Sequence, residues 1–326
     1  MHSNVMVKPN IAAVIGALVA DAAALGLHWL YDPTRIATIE VNNSLTFVPP
    51  DPNNYTDTKG FFAHANKKSG ESSGYGELCL LMLKHIAKHG EFNRIDYQSE
   101  YSTYFGPGGA YIGYIDSPTR KTLQTLLPLK PADYPSRSGA DDDQFAALAT
   151  IPVLVAAHQG DVREALIEQV DSVVRITNNN EVAVAAAQCA AVVLFEVLKG
   201  ASIDRALTES LPYAGSTLKP LLDEALKFNT LDSVGAAERF GSSCHVTEGL
   251  PVIFHIAQHA PDYRSAVEAN IRASGDSCGR AIMLGAIMAS YHTKNRRSDS
   301  AIPLAWMARY NKLVSAADAC VQLEAE

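Results

Sequence analysis

Two groups that could exchange a proton lie in an apolar segment near the start of the chain, GALVADAAALGLHWLYDP at 16–33. Asp21, Leu25, His28 and Asp32 have the spacing of one helical face. A carboxyl group or an imidazole is costly to bury among apolar side chains unless it has a partner. Asp21 and His28 are therefore either acid–base residues of a site or buried groups that tie down a neighbouring loop.

A glycine-rich loop leads into a second apolar segment, KKSGESSGYGELCLLML at 67–83. Free N–H groups and the positive end of the helix dipole favour anions at a helix N-terminus. The order of residues predicts caps at Ser72 and Ser73, with Tyr75 and Gly76 close to the helix start and Glu77 as a first-turn acid. Capping alone explains the serines and the glutamate, whereas it does not explain the density of glycines.

Three adjacent acids, Asp141, Asp142 and Asp143, follow Gly139 in RSGADDDQFAAL at 137–148. This pattern predicts that they open a helix, where the dipole stabilises negative charge. Three carboxylates also suit a hard divalent cation. Adjacent helical positions point in different directions, so at most two of the three could share one ion.

A second loop with a glycine and an acid occurs late in the chain, in ASGDSCGRAIMLGAIMAS at 273–290. Asp276 is predicted to cap a helix, with Arg280 four residues on and within its reach. Gly285 lets that helix pack closely against a neighbour. Cys278 near the helix start is either a reactive thiol, because Arg280 would lower the pKa of an exposed thiol, or an inert cysteine.

These loops have one property in common, which is that each brings acids or hydroxyl groups to a predicted helix start. If the helix N-termini converge, they form one polar pit that favours anions. The apolar residues elsewhere recur at spacings of three and four without alternation, which predicts an all-α chain. The predicted helices are 10–26, 76–89, 91–105, 118–127, 142–159, 161–175, 180–199, 203–211, 218–228, 248–259, 263–273, 279–292 and 302–310.

The remaining organisation follows from loops and prolines. Pro152 is expected to kink or split the helix around it. The loop-rich stretches 41–75 and 128–140 are expected to carry part of the site. No stretch has the composition of a linker, so 1–326 is interpreted as a single domain.

Composition limits the classes of function. The chain has 326 residues and a formal net charge of -8, which disfavours a broad nucleic-acid-binding surface. Its five cysteines include no CxxC pair, which is typical of a reducing, cytoplasmic protein. Asp21 and His28 interrupt the apolar run from Ile11, so no membrane span is expected. The sequence does not indicate an oligomeric state.

The order of these motifs resembles the ADP-ribosylglycohydrolase superfamily, and within it the branch of the jellyfish J1 crystallins and selenoprotein J. The resemblance spans nearly the whole chain and implies an orthogonal multi-helix bundle. Active members of the superfamily hydrolyse the glycosidic bond from ADP-ribose to an acceptor, with a pair of Mg²⁺ ions held by acidic motifs. The segments that carry the resemblance are 16–32, 70–77, 138–143, 175–191, 273–290 and 302–306.

This chain departs from the two metal-binding motifs of that superfamily. Where the first has a Thr-Asp-Asp-Thr pattern, the chain has Ser-Gly-Tyr-Gly at 73–76. In the second motif Asp276 matches an acid and Ser277 offers a hydroxyl group, but Cys278 replaces the second aspartate. Mg²⁺ requires oxygen ligands and cysteine is a poor one, so at most one ion is expected, at Asp276 and Ser277.

The chain departs from the superfamily at two further positions, one near its start and one in its middle. His28 stands where many members have a glutamate, and Asn178 stands where they have a histidine. The resemblance therefore implies a hydrolase of an ADP-ribosyl or related glycosidic bond with an altered site, acting on a small ADP-ribose-type ligand. The catalytic candidates are Asp276, Glu77, Asp21 and His28, and the substrate-binding candidates are Ser73, Tyr75, Gly76, Asp141, Asn178 and Arg280.

Three alternatives to this hydrolase remain open. One is an inactive protein that binds ADP-ribose, and another is a structural protein of the J1-crystallin type. The third is an enzyme that uses Cys278 as its nucleophile.

Overall fold

The computed structural model describes residues 7–158, 160, 162–295 and 298–323, and within them it confirms the all-α prediction. Isolated bridges are the only β-structure in these ranges. The α-helices are α1 Pro9–Ala24, α2 Pro33–Asn42, α3 Gly74–His89, α4 Arg94–Phe105, α5 Ser117–Leu126, α6 Ile151–Ala157, α7 Arg163–Val174, α8 Glu181–Lys199, α9 Ile203–Ser210, α10 Gly215–Ala225, α11 Ser233–Phe240, α12 Val246–His259, α13 Tyr263–Arg272, α14 Ser277–Lys294, α15 Leu304–Met307 and α16 Leu313–Gln322.

The first helix ends earlier than predicted. It stops at Ala24, a 3₁₀ turn follows at Leu25–Leu27, and His28 has extended backbone. The prediction that Asp21 and His28 share one helical face is therefore wrong. The backbone of Gly26 lies so close to the carbonyl of Val48 that an added Cβ would be 1.9 Å from its oxygen, and this approach requires glycine.

The sequence pattern missed a helix immediately after this turn. Asp32 does not belong to the first helix, because its side chain accepts the N–H of Arg35 at 3.0 Å and caps α2. Pro33 occupies the first turn of α2, where no backbone N–H is required. The pattern also missed α11 and α16, and the helix expected at 302–310 is the single turn α15.

The three adjacent acids do not open a helix, which corrects a second prediction. Asp142 accepts the N–H of Gln144 at 3.1 Å, and the next regular element is a 3₁₀ turn at Phe145–Leu148. The helix then starts at Ile151 with Pro152 in its first turn, so this proline neither kinks nor splits a helix, and the helix predicted over 142–159 is limited to Ile151–Ala157. A proline there removes no helical hydrogen bond.

The core is built around two long helices that lie in contact, α1 and α14. The glycines Gly16 and Gly285 face each other where the helices meet, as Gly285 was predicted to do. Two helical segments, Pro9–Leu27 and Glu181–Lys199, are long and apolar enough to cross a membrane, but 89% and 67% of their most apolar stretches are buried inside the fold. Such burial is typical of core helices.

Candidate functional site

The N-termini of α3 and α14 meet at two buried carboxyl groups, and the first of these is Asp21. Its Oδ2 accepts the backbone N–H of Ser73 at 2.9 Å, and its Oδ1 accepts the Ser73 hydroxyl. Ser73 Oγ in turn accepts the N–H of Tyr75 at 3.1 Å, which makes Ser73 the predicted cap. An added Cβ at Gly76 would lie 2.1 Å from Asp21 Oδ2, so only glycine permits this contact.

The second buried carboxyl group is Asp276, which caps α14 as predicted. Its Oδ1 accepts the N–H of Gly279 at 2.8 Å, and its Oδ2 accepts the hydroxyl of Tyr75 at 2.9 Å. Cys278 contacts Asp21 through the backbone, with Sγ 3.6 Å from the carbonyl oxygen of Asp21. Asp21, Ser73, Tyr75 and Asp276 are between 0% and 3% exposed, so the two helix N-termini converge on a closed polar core.

His28 lies against this core as a neutral imidazole. Its Nδ1 accepts the N–H of Cys278 at 3.2 Å and therefore carries no proton, although Asp276 Oδ1 lies 3.5 Å away. Burial, and next the adjacent His64, lower the pKa of His28 well below its ordinary value. Because the imidazole is neutral, the 3.5 Å contact with Asp276 is not an ion pair. The rings of His28 and His64 are 5.1 Å apart.

Trp29 connects the core to the loops. It has a φ of 61°, a conformation that is strained for a tryptophan. The backbone N–H of Trp29 donates to the carbonyl of Gly275 at 2.8 Å, and its backbone carbonyl accepts the N–H of Phe61 at 2.9 Å. Its ring lies edge-on to that of Tyr114 at 4.9 Å. The Trp29 ring also lies 5.9 Å from that of Phe61, which comes from the predicted loop 41–75.

Arg280, predicted to bind substrate, is bound within the fold through Nε and Nη2, while Nη1 is buried without a hydrogen-bond partner. It is fully buried, and its Nε donates to Asn270 Oδ1 at 2.8 Å, while Nη2 donates to the carbonyls of Asn270 and Ser274. Asp276 raises the pKa of Arg280 through its charge, but burial lowers that pKa to about 10. The predicted contact with Asp276 is thus electrostatic, and the hydrogen bonds hold the turn between α13 and α14.

Glu77 is likewise occupied. Its carboxylate accepts Lys312 Nζ at 2.5 and 2.7 Å and the hydroxyl of Tyr104 at 2.6 Å, and its side chain is 2% exposed. A cavity of about 210 Å³ lies beside these groups and is also lined by Lys67 and Tyr111. The structure therefore places Glu77 in an ion pair with the C-terminal region rather than beside Asp276.

The three adjacent acids and Asn178 form a separate group. Asp141 is exposed and accepts the side chain of Asn180 at 2.7 Å. Asp143 pairs with His245 through Nδ1 at 2.5 Å. Asn178 is fully buried and donates to the carbonyl of Asp142 at 2.8 Å, so it holds this loop in place. No contact with the buried carboxyl groups is shown for Asp141 or Asn178.

Cys278 does not have the surroundings of a reactive thiol. It is 0% exposed, and burial, followed by the charges of Asp21 and Asp276, raises its pKa well above the ordinary value. Exposure was the condition for a lowered pKa, and the structure contradicts it. A buried cysteine whose thiolate is disfavoured in this way is expected to be inert.

The cysteines should therefore differ in alkylation rate. Cys244 is partly exposed, whereas Cys278 is buried. We expect iodoacetamide to label Cys244 at a rate about 100-fold or more above that of Cys278, because the reagent reaches Cys278 only after local unfolding. Mass spectrometry of peptides from native protein over time measures both rates. Equal rates in native protein would contradict the buried placement, and equal rates in urea provide the control.

Asp276 and Ser277 do not fit a magnesium ion. Both Asp276 oxygens already accept hydrogen bonds, from Gly279 and Tyr75, and the side chains beside them are those of Tyr75 and His28 rather than further carboxylates. Ser277 Oγ is buried without a hydrogen-bond partner and adds one oxygen donor. Mg²⁺ requires near-octahedral oxygen ligands, which this set does not supply.

Sequence reasoning missed several residues around the core. Asp116 caps α5 by accepting the N–H of Thr119 at 2.8 Å, and its charge contributes to the raised pKa of Tyr75 after the larger effect of burial. The pattern Asp-Ser-Pro at 116–118 is a cap followed by a first-turn proline and could have revealed it. His64 and Trp29 have no signal in the sequence, since their placement depends on loop packing.

Burial shifts the protonation of the two carboxyl groups. It raises the pKa of Asp21 from 3.8 to about 7, against the hydrogen bonds from Ser73 that lower it. It raises the pKa of Asp276 from 3.8 to about 6, against the N–H of Gly279. Each group therefore holds its proton more tightly in the folded chain than in the unfolded chain.

Stability should consequently fall as the pH rises. The folded state is favoured by these protons below about pH 4, and that contribution is lost as the pH passes through 6 and 7. We expect the free energy of unfolding to fall by roughly 2–4 kcal/mol more in the wild type than in Asp21→Asn between pH 4 and 8. Urea titrations at several pH values measure this difference. Asp141→Asn, at an exposed acid, should retain the wild-type slope; if Asp21→Asn retains it too, the raised pKa is refuted.

The fold and the site together define an all-α protein in which two helix N-termini meet around buried carboxyl groups. A family model described as ADP-ribosylglycohydrolase matches residues 10–326, so the chain belongs to the ADP-ribosylglycohydrolase family. Crystallin J1A of Tripedalia cystophora is 29% identical over 320 residues, which cover 92% of this chain and 91% of that relative. Crystallin J1B of the same organism is 27% identical, and the match covers 91% of this chain and 90% of that relative.

A solved structure supports the same fold. It is described as an ADP-ribosylglycohydrolase-related protein complex and superposes with a TM-score of 0.70, at 17% identity, over 97% of this chain and 96% of that one. This likeness confirms the bundle predicted from the order of motifs. At such identity it does not transfer an activity.

Proposed function

We propose that this chain is a non-hydrolytic member of its family with a structural, crystallin-like role. The acids left at the helix N-termini hold the starts of α3 and α14 through hydrogen bonds instead of binding metal. The observation that carries the proposal is the complete burial of Asp21, hydrogen-bonded to the Ser73 cap of α3, and of Asp276, hydrogen-bonded to Tyr75 in the first turn of that helix. Cleavage of a glycosidic bond needs two available carboxylates or a metal-held water, and neither is supported by these contacts.

Three further features support this proposal. The third catalytic candidate, Glu77, is bound by Lys312 and Tyr104. The adjacent cavity of about 210 Å³ is smaller than the roughly 300–1,000 Å³ of usual ligand pockets. The names of the two crystallin J1 relatives are consistent with a protein whose function depends on stability.

An altered hydrolase is the second candidate, because one observation favours it. Burial raises the pKa of Asp276 to about 6, so part of the population carries a proton near neutral pH. A carboxyl group in that state is suited to general acid catalysis. Phe61, which is 53% exposed beside Trp29, offers a ring on which an adenine base could stack.

Activity assays separate the two candidates. Purified protein is incubated with ADP-ribosylated arginine, ADP-ribosylated serine peptide and O-acyl-ADP-ribose, with and without Mg²⁺, beside an active enzyme of the family. We expect no product above the buffer control, no calorimetric heat with ADP-ribose, and no change in Tm with Mg²⁺. Turnover that Asp276→Asn abolishes and Asp141→Asn preserves would establish the hydrolase instead.

A further inference from the structure

A cluster of possible metal ligands lies on the outer side of α3 and α4, apart from the buried carboxyl groups. His85 and His89 are one helical turn apart, and their ring centroids are 4.6 Å apart. The carboxylate of Glu100 reaches both, with Oε2 2.8 Å from His85 Nδ1 and Oε1 3.1 Å from His89 Nε2. We propose that His85, His89 and Glu100 bind a divalent cation of the zinc type between the two helices.

The positions of the donor atoms support this proposal. One ligand atom from each of the three residues lies within 4.8 Å of the other two. A zinc ion about 2.0–2.2 Å from nitrogen and oxygen ligands separates them by roughly 3–4 Å, so small rotations of the side chains suffice. Two histidines at i and i+4 are a common chelating pair on one helical face.

The choice of cation follows from the donor types. Imidazole nitrogen with one carboxylate suits zinc, nickel or copper, whereas Mg²⁺ and Ca²⁺ prefer all-oxygen sites. Asp96, one turn before Glu100 on α4, has Oδ2 4.0 Å from His89 Nδ1 and is half exposed. It can turn to supply a fourth ligand, and otherwise water completes the tetrahedral set.

Two contacts compete with the metal and keep its affinity moderate. Lys88 Nζ lies 2.8 Å from Glu100 Oε1, but its side chain is 67% exposed and free to move into solvent. The N–H of Asn93 donates to His85 Nε2 at 3.0 Å, so Nδ1 carries the imidazole proton. When Nδ1 binds the cation, that proton shifts to Nε2 and the hydrogen bond from Asn93 is lost.

The chain contains a matched pair for comparison. His255 and His259 on α12 also have the i, i+4 spacing, with ring centroids 4.4 Å apart. Their contacts are to carbonyl oxygens, with His255 Nε2 3.0 Å from Leu231 O and His259 Nδ1 2.8 Å from His255 O. A histidine pair alone should bind far more weakly than a pair with a carboxylate.

The test uses chelator-treated full-length protein and ZnCl₂ alone, with isothermal calorimetry and competition against a chromophoric chelator. We expect one zinc ion to bind with a micromolar Kd and to raise Tm, because it bridges two helices. His89→Ala and Glu100→Gln, at partly exposed positions, should weaken that binding at least 10-fold, and His259→Ala should leave it unchanged. Circular dichroism confirms that the variants are folded.

Several outcomes would overturn the proposal. They are the absence of zinc binding up to millimolar concentration, unchanged binding in both His89→Ala and Glu100→Gln, or an equal loss in His259→Ala. A Tm increase of the same size with MgCl₂ would also refute it, because that would indicate general ion effects.

Discussion

Arg280→Ala should lower the free energy of unfolding by about 3–5 kcal/mol, the largest loss that we expect from a single polar side chain in this protein. The guanidinium is fully buried and donates to Asn270 Oδ1 at 2.8 Å and to two backbone carbonyls. Removing it leaves these acceptors buried without donors and leaves a cavity between α13 and α14.

The effect should extend beyond the turn itself. Ser274 and Gly275 have φ values of 62° and 63°, and the carbonyl of Ser274 is one of the acceptors of Arg280. Gly275 in turn exchanges backbone hydrogen bonds with Trp29 and Leu30. Without Arg280, the strained turn and the Trp29 segment lose a common support, so near-ultraviolet circular dichroism of the aromatic residues should change as well.

Arg272→Ala is the matched control for this variant. Arg272 lies at the end of α13 and pairs with Glu40, but its side chain is 36% exposed. Exposed ion pairs contribute about 0–1 kcal/mol, so this loss should be small. Urea unfolding of both variants gives the comparison. If Arg280→Ala costs less than about 1.5 kcal/mol, or no more than Arg272→Ala, the hydrogen bonds of Arg280 do not have the assigned role.

The second large effect is expected where α1 and α14 cross. A Cβ added at Gly285 would lie 2.4 Å from the carbonyl oxygen of Gly16 and 2.6 Å from Ala20 Cβ. Backbone atoms cannot rotate away as a flexible side chain can, so the two helices must separate. We expect Gly285→Ala to cost about 3 kcal/mol or more, since overpacking a tight core is destabilising.

Gly235→Ala offers the opposite result within the same chain. Gly235 lies in the first turn of α11, and the nearest atoms to its added Cβ belong to the flexible side chain of Leu231, at 3.2 and 3.4 Å. Because alanine favours the helix by about 0.5–1 kcal/mol over glycine, this variant should be neutral or stabilised. Thermal and urea unfolding measure the stability of Gly235→Ala and Gly285→Ala. A neutral Gly285→Ala would show that the helices can move apart without cost.

Both predictions bear on what holds the buried carboxyl groups in place. Arg280 and Gly285 belong to the same helix as Asp276, and they fix its N-terminus against α1 and α13. The interactions that hold this region are therefore hydrogen bonds and close packing within the fold. That is the arrangement expected of a protein whose function depends on a stable fold, as proposed above.

Local sequence patterns determined much of this structure. Apolar spacing predicted the all-α class, and cap chemistry correctly predicted Ser73 and Asp276 at the starts of α3 and α14. These predictions succeeded because a cap depends on atoms within three residues along the chain. The close packing of Gly285 was also predictable, since a glycine within a long apolar helix needs a packing reason.

Tertiary structure alone decided which polar groups meet and which are buried. The pairing of Glu77 with Lys312, 235 residues later in the chain, has no local signal. The close approach of the Val48 carbonyl to Gly26, just after the end of α1, likewise has no local signal. Burial likewise made Cys278 inert and raised the pKa of Asp276. The physical reason is that desolvation depends on what packs around a group, whereas helix propensity and capping depend on its neighbours in the chain.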